Sequence, residues 1–309
     1  LNLRAPLMNT AGANVVSVSE SLMIWLQASV IMLRQKVFTA LIMAGLFCAA
    51  IAYFPLPLLA LLLAMLVGLG AWEWSRMSGW EHPVARAIYV LVILAALGTV
   101  YVYCQLGGVP LRSEVQPLLG LACLWWSFAL LWVKGFPSSA VLWRSVAMRS
   151  AMGMLILLPG WMSSVYLLSF PEGGVLMVAM VLVTTTADIG AYFTGRCFGK
   201  HKLAVLVSPS KTWEGFWGGL AACALLAVVL WSLLPSHAAH IGLASVVVVT
   251  VITALASVIG DLTVSMVKRE SGVKDSGRLL PGHGGVLDRL DSLCGAAPVF
   301  AMGLLLVGW

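Results

Sequence analysis

Charged residues are scarce in this sequence of 309 residues. Asp, Glu, Lys and Arg together make up 10% of the chain, whereas hydrophobic residues make up 61% and the mean hydropathy is +0.99. A soluble domain is usually about 25% charged and about 45–50% apolar. The chain therefore lacks the polar surface of a soluble enzyme, a disordered tail or a secreted disulfide scaffold. The composition predicts an all-α polytopic membrane protein, because helices satisfy their own backbone hydrogen bonds in lipid.

A CxxC pair is also absent. The six cysteines are scattered and lie mostly inside apolar runs, so we interpret them as small buried hydrophobic residues rather than as metal ligands or disulfides. A net charge of +6 would suggest nucleic acid in a soluble protein, but here the basic residues mark cytoplasmic loops. We therefore expect a lipid bilayer, and no nucleic acid, among the partners.

Nine apolar runs reach or approach the roughly 20 residues that cross the hydrocarbon core. The second, fourth and ninth of them are short. The predicted spans are 37–54, 56–71, 87–106, 118–133, 148–168, 175–194, 218–234, 241–264 and 295–309.

The basic residues predict an orientation for these spans. With the N-terminus in the cytoplasm, 17 of the 18 Lys and Arg residues fall in cytoplasmic segments, and only Arg112 falls outside. An even number of spans would break this alternation, so we predict nine spans with the C-terminus outside. Residues 1–31 lack the small-residue cleavage site of a signal peptide, and we interpret them as an N-terminal extension of unknown role, such as an upstream translation start would add. The alternative is an interfacial helix.

Two aspartates lie within or beside the later spans. Asp188 is near the end of the sixth predicted span and Asp261 is near the end of the eighth. A carboxylate that faces hydrocarbon costs about 2.5–3.5 kcal/mol, so such groups usually face the bundle interior. On a helix, Asp261 would share one face with Ser265 and Lys268. The alternative for Asp188 is an interfacial carboxylate paired with Arg196.

The loop between the sixth and seventh spans contains Ser208-Pro-Ser-Lys-Thr-Trp-Glu-Gly215. Its hydroxyl and ammonium groups would suit a phosphate beside a helix start. A Ser or Thr directly before a helix start is equally typical of ordinary helix capping. Both interpretations stay open for this segment.

The last loop, from Ser265 to Asp291, is more specific. Four basic residues precede Gly282-His-Gly-Gly, and Asp288-Arg-Leu-Asp291 follows. Glycines let backbone N–H groups curl toward an anion, and two aspartates at i and i+3 suit a hard cation. These are the parts of phosphoryl or nucleotidyl transfer. No second His or Cys lies near His283, so a zinc site is not expected, and His283 could order the loop, contact phosphate or act as an acid–base group.

The run from Ser265 to Asp291 resembles, position for position, the motif of CDP-diacylglycerol synthases (phosphatidate cytidylyltransferases), and the segments 188–196 and 208–215 resemble that family's preceding segments. The resemblance implies Mg²⁺-dependent condensation of CTP with phosphatidate, giving CDP-diacylglycerol and pyrophosphate for phospholipid biosynthesis. It also suggests K⁺ as a second ion, a bacterial inner membrane, and an active site on the cytoplasmic side.

The resemblance assigns roles to particular residues. The metal ligands would be Asp261 and Asp288, with Asp291 and Asp188 close by. The catalytic residues would be Lys211, Lys268, Arg269 and Asp288. Substrate contacts would come from Ser208, Ser210, Lys274, Arg278, His283, Gly284, Gly285 and Arg289.

These assignments divide the chain into the extension 1–31, five N-terminal transmembrane helices in 32–174, and a catalytic region of four spans in 175–309. Two other functions are considered. A CTP-dependent lipid kinase would differ in its product, a phospholipid without a CMP linkage. An ion-coupled transporter using Asp188 and Asp261 predicts inverted repeats, which the sequence does not show. A homodimer is compatible with the sequence.

Overall fold

The described part of the chain is almost entirely helical, as the composition predicts. The computed structural model describes residues 42, 44–277, 279 and 284–309, and the chain divides into two compact units, 1–50 and 51–309. A short apolar helix, α1 (Ala44–Tyr53), comes first. Eight further helices of 20 to 28 residues are long and apolar enough to cross a membrane: α2 (Leu56–Ser78), α3 (Pro83–Tyr103), α4 (Arg112–Gly135), α6 (Val146–Leu168), α7 (Gly173–Phe198), α8 (Trp213–Ser232), α9 (Leu243–Glu270) and α10 (Leu287–Leu306). Short helical segments lie between some of them: α5 (Ala140–Trp143) and a 3-10 turn (Ser236–Ala238).

Eight of the nine predicted spans are confirmed as helices, but several predicted ends are wrong. Helix α2 continues seven residues beyond the predicted 56–71 and stops at Gly79, whose φ is +101° and whose N–H donates to the Arg76 carbonyl oxygen. Helix α10 begins at Leu287 rather than at 295. Charged residues near these ends lower the local hydropathy although the helix continues. In the first predicted span, 37–54, residues 37–41 and 43 lie outside the described residues, and most of the described part forms the short helix α1 (Ala44–Tyr53).

A β-hairpin interrupts the helices between α7 and α8. Strand β1 (Lys202–Ala204) pairs antiparallel with β2 (Ser208–Thr212), with Lys202 opposite Thr212 and Ala204 opposite Ser208. The Thr212 hydroxyl accepts a hydrogen bond from the Gly215 N–H at 3.1 Å and so caps the start of α8. The hairpin therefore delivers residues 208–212 directly to a helix start.

One end of the bundle gathers the polar loops, because α7 and α9 end there while α8 and α10 begin there. Basic residues of the first half also link helices at this end. The Arg149 guanidinium donates to the Met77 carbonyl oxygen at 2.8 Å, and Arg144 pairs with Glu270 at 2.7 Å. At the opposite end, Arg112 donates to the carbonyl oxygen of Leu305. These residues therefore join helices.

Helices α9 and α10 cross at two glycines. A Cβ atom on Gly260 would lie 3.2 Å from the Gly295 Cα and would collide with the carbonyl oxygen of Asp291. Small residues let two helix backbones approach this closely in a membrane. The crossing sets Asp261 of α9 beside the turn of α10 that carries Asp291.

Candidate active site

The predicted polar face of α9 is present in the structure. The Ser265 hydroxyl donates to Asp261 Oδ1 at 3.2 Å, one helical turn away. The other oxygen of Asp261 pairs with the Lys211 ammonium, which β2 supplies. At the far end of the same face, Lys268 Nζ lies 2.8 Å from Asp288 Oδ1 of α10. Two lysine–aspartate pairs therefore join the hairpin, α9 and α10.

Asp288 also holds the loop that precedes α10. Its Oδ2 accepts hydrogen bonds from the backbone N–H groups of Ser276 (3.0 Å) and Gly285 (2.9 Å). Gly284 has a φ of +81°, and a Cβ there would lie 2.8 Å from Asp288 Oδ2, so both the conformation and the space favour glycine. Both oxygens of Asp288 are thus engaged.

The other two predicted metal ligands have fewer partners. Asp291 is 6% exposed, and its Oδ1 accepts the Ser292 N–H at 2.7 Å, while Asp261, Lys268 and Asp288 lie within electrostatic range. Asp188 lines a cavity together with Lys211. The alternative partner of Asp188, Arg196, donates instead to the Tyr192 hydroxyl at 2.8 Å.

The donor chemistry of this cluster fits a hard divalent cation. Carboxylate oxygens are the ligands that Mg²⁺ prefers, and the four aspartates offer such oxygens. Lys211 and Lys268 each contact one of these carboxylates. In the described part of the chain, no three acidic, His or Cys side chains converge closely enough to hold a metal ion. Asp261 and Asp288 are instead paired with the ammonium groups of Lys211 and Lys268.

Two cavities adjoin this cluster. One, of about 490 Å³, contains the polar side chains of Asp188, Arg196, Ser210 and Lys211 in its wall. The other, of about 540 Å³, is mainly apolar and lies between the hairpin and α4, α8 and α9. Both cavities share the side chains of Leu203, Phe216 and Val258. The two cavities therefore meet at one wall. Apolar surface predominates in both, and the first, called the polar cavity below, differs by the charged and hydroxyl side chains in its wall.

The remaining predicted residues are more dispersed. The Arg269 guanidinium turns toward the hairpin, where its Nε donates to the Val207 carbonyl oxygen at 3.1 Å. Lys274 and Arg289 are exposed. Ser208 begins β2. Arg278 and His283 lie outside the described residues, and their roles stay predictions.

The capping interpretation of the segment 208–215 is confirmed for Thr212, whereas the phosphate interpretation stays a prediction. Thr212 caps α8, and the Glu214 carboxylate accepts the N–H groups of Lys200 (3.1 Å) and His201 (3.2 Å). Those contacts are structural. Ser210 and Lys211, in contrast, face the polar cavity.

The sequence reasoning missed Glu73 of α2. Glu73 is only 3% exposed. Its carboxylate accepts hydrogen bonds from Ser276, Val286 and Leu287, which lie in the last loop and at the start of α10. The predicted second span ended at residue 71, which placed Glu73 outside the membrane. An acidic residue inside an apolar run was the available signal, because such residues are rare in transmembrane helices.

Fold and site together define an integral membrane protein in which two lysine–aspartate pairs join the hairpin, α9 and α10, and in which Lys211 also lines a cavity. The model of the family described as "Cytidylyltransferase family" matches residues 34–307. The chain belongs to this family, which confirms the resemblance to CDP-diacylglycerol synthases.

Two curated relatives match over nearly their whole length, and a third matches over about half of it. The phosphatidate cytidylyltransferase of Pseudomonas aeruginosa is 42% identical over 283 residues, covering 90% of this chain and 99% of the relative. The enzyme of the same name from Haemophilus influenzae is 37% identical over 285 residues, covering 87% and 98%. The phosphatidate cytidylyltransferase of Brucella suis is 50% identical over 127 residues, covering 41% and 46%.

Proposed function

We propose that the protein transfers the cytidylyl group of CTP to phosphatidate, giving CDP-diacylglycerol and pyrophosphate. The observation that carries this proposal is the meeting of the two cavities beside the Lys211–Asp261 pair. The polar cavity suits phosphate groups and the apolar cavity suits an acyl chain, so a lipid with an anionic head fits both. Similarity to phosphatidate cytidylyltransferases over 87% or more of the chain supports the same reaction.

The chemistry asks for charge stabilisation more than for a strong base. Phosphatidate is already an anion at neutral pH, and its phosphate oxygen attacks the α-phosphorus of CTP. A new P–O bond forms, the bond between the α- and β-phosphates breaks, and pyrophosphate leaves with the electron pair. Repulsion between the anions is the main barrier, and fixed cations lower it. Lys211 and Lys268 are the cations that we assign to this role, with Arg269 beside them.

We also propose that Mg²⁺ binds at Asp261 and Asp288, with Asp188 and Asp291 close by, and that K⁺ is a second ion. The support for Mg²⁺ is the donor chemistry of the four aspartates, and K⁺ is carried over from the resemblance to the family. A bound Mg²⁺ would supply further neutralisation of phosphate charge. The lysine ammonium groups would then be free to turn from the carboxylates toward substrate phosphates.

The orientation is part of the proposal. Nearly all described basic residues lie at the end of the bundle that carries the cluster, whereas Arg112 lies at the other end. Positive residues favour the cytoplasmic side, so we assign the site to the cytoplasmic face of a bacterial inner membrane, where CTP is available.

Two labelled substrates test the reaction. Purified protein receives phosphatidate and CTP labelled at either the α- or the γ-phosphorus, and the lipid fraction is counted with Mg²⁺ and with EDTA. We expect lipid label from the α position only, and only with Mg²⁺. Label from the γ position would indicate γ-phosphoryl transfer instead, and no lipid label from the α position would refute cytidylyl transfer.

Lys211→Ala should abolish transfer without loss of the folded protein. Lys200→Ala is the matched control, because Lys200 is exposed and outside the lining of both cavities. Equal losses in the two variants would indicate general electrostatics rather than a site.

A further inference from the structure

Glu73 is a buried acidic residue in a helix that carries none of the motif residues. Glu73 is 3% exposed and lies five residues before the end of α2. A carboxylate is expensive to bury unless donors surround it. Three such donors come from a segment more than 200 positions away in sequence.

The three donors all belong to the start of α10 and the loop before it. Glu73 Oε1 accepts the Val286 N–H at 3.1 Å. Oε2 accepts the Leu287 N–H at 2.9 Å and the Ser276 hydroxyl at 2.8 Å. The first N–H groups of a helix have no partner within the helix, and negative charge there is stabilising. Glu73 therefore acts as a cap that one helix supplies to another.

Glycines make this close approach feasible. A Cβ on Gly277 would lie 2.7 Å from the Glu73 Cδ, and a Cβ on Gly285 would lie at the same distance from that carbon. Any larger residue at either position would push the carboxylate away. The glycines on both sides of the last loop thus have a packing requirement that is separate from any ligand.

Ser276 connects this cap to the candidate active site. Its hydroxyl donates to Glu73, while its backbone N–H donates to Asp288 Oδ2 at 3.0 Å. The Gly285 N–H donates to the same Asp288 oxygen at 2.9 Å, directly before the two N–H groups that Glu73 binds. Glu73 and Asp288 therefore hold the same two chain segments, and Asp288 in turn contacts Lys268.

We infer that Glu73 is a positioning residue for cytidylyl transfer, which fixes Ser276 and the start of α10 so that Asp288 and Lys268 keep their places. This inference rests on the proposed function for its catalytic part. Glu73 does not line either cavity, so it acts through Asp288 rather than on the substrate.

Glu73→Gln is the informative variant, because it keeps the shape while replacing one acceptor oxygen by an NH₂ group. Whichever way the amide turns, at least one N–H of Val286 or Leu287 then faces another donor. A displacement of about 1 Å at reacting groups can cost about a hundredfold in rate. We expect kcat to fall about tenfold to a hundredfold, with KM for CTP changed less than about threefold, since binding groups such as Lys211 are not contacted.

Amide hydrogen exchange at Val286 and Leu287 provides a readout that does not depend on activity. Exchange there should become faster in Glu73→Gln, whereas Glu81→Gln, a change at an exposed acid just after α2, should alter neither exchange nor kcat. Unchanged exchange in Glu73→Gln would overturn the inference whatever the kinetics. Faster exchange with a wild-type kcat would overturn the positioning role.

Ser276→Ala keeps the test decisive if Glu73→Gln does not fold. It removes a single hydrogen bond to Glu73, so we expect a smaller fall in kcat from Ser276→Ala alone, and a wild-type kcat would contradict the link through Ser276. Where Glu73→Gln does fold, the losses of the two variants should not add, because they lose the same contact. Full additivity would contradict the link through Ser276. A wild-type protein without transferase activity would refute the proposed function, while the exchange comparison would still decide whether Glu73 caps α10.

Discussion

The pair formed by Lys268 and Asp288 is the contact whose removal we expect to cost the most stability. Its side chains are only 9% and 11% exposed, and their charged atoms are 2.8 Å apart. Removing one partner of a buried pair typically costs about 3–5 kcal/mol, because the remaining charge loses its compensation. Asp288 keeps two backbone N–H donors on its other oxygen, so we expect Lys268→Met to lie at the low end, near 3 kcal/mol.

The Lys211–Asp261 pair supplies an internal comparison. Its side chains are 24% and 26% exposed, so water compensates part of the lost charge. We expect Lys211→Met to cost about 1 kcal/mol, clearly less than Lys268→Met. Both variants should lose cytidylyl transfer. The two lysines would then be equivalent for activity and different for stability.

The assay combines unfolding in detergent with EDTA and formation of lipid-linked cytidylate with Mg²⁺. A double-mutant cycle that adds Asp288→Asn should give a coupling energy above about 1 kcal/mol. Lys134→Met removes an exposed charge and should stay within about 0.5 kcal/mol of wild type. The reasoning would be refuted if Lys268→Met unfolded like Lys134→Met.

The remaining predictions concern packing, topology and chain selectivity. Gly260→Ala should cost about 1–3 kcal/mol in unfolding experiments, because the helix crossing has no room for a methyl group, whereas Gly98→Ala, in open space, should be neutral or stabilising. A topology reporter fused after Trp309 should be external and one inserted near Lys200 should be cytoplasmic; the same side for both would contradict the orientation. Val258 lines both cavities, so Val258→Trp should reduce the space inside them and lower kcat/KM more for long-chain than for short-chain phosphatidates. An equal loss for all chain lengths would argue against the apolar cavity as an acyl-chain site.

Local geometry made part of the candidate site predictable. One face of α9 could be predicted from the sequence alone, because Asp261, Ser265 and Lys268 are separated by whole helical turns. The hydrogen bond between Ser265 and Asp261 confirms that face. The aspartates of α10 were also identified, because their spacing and the glycines before them form a distinctive motif.

Contacts between distant segments were not predictable in this way. Glu73 and Ser276 are 203 positions apart, and nothing in the sequence around either residue indicates the other. Hydropathy also placed the ends of α2 and α10 too far from the polar loops. It scores Glu73 and Asp288 as charges in water, whereas both are compensated by donors inside the bundle.

The cap that Glu73 places on α10 bears on how this chain could be divided or recombined. Residues 175–309 carry the predicted catalytic region, but α10 also packs against α2, α4 and α6, and its first N–H groups bind an acceptor from α2. A chimera that joined this region to foreign N-terminal helices would leave those groups unpaired unless the new partner brought an equivalent carboxylate. The two halves of the bundle are consequently not independent modules. Their exchange between proteins is restricted by the buried carboxylate of Glu73.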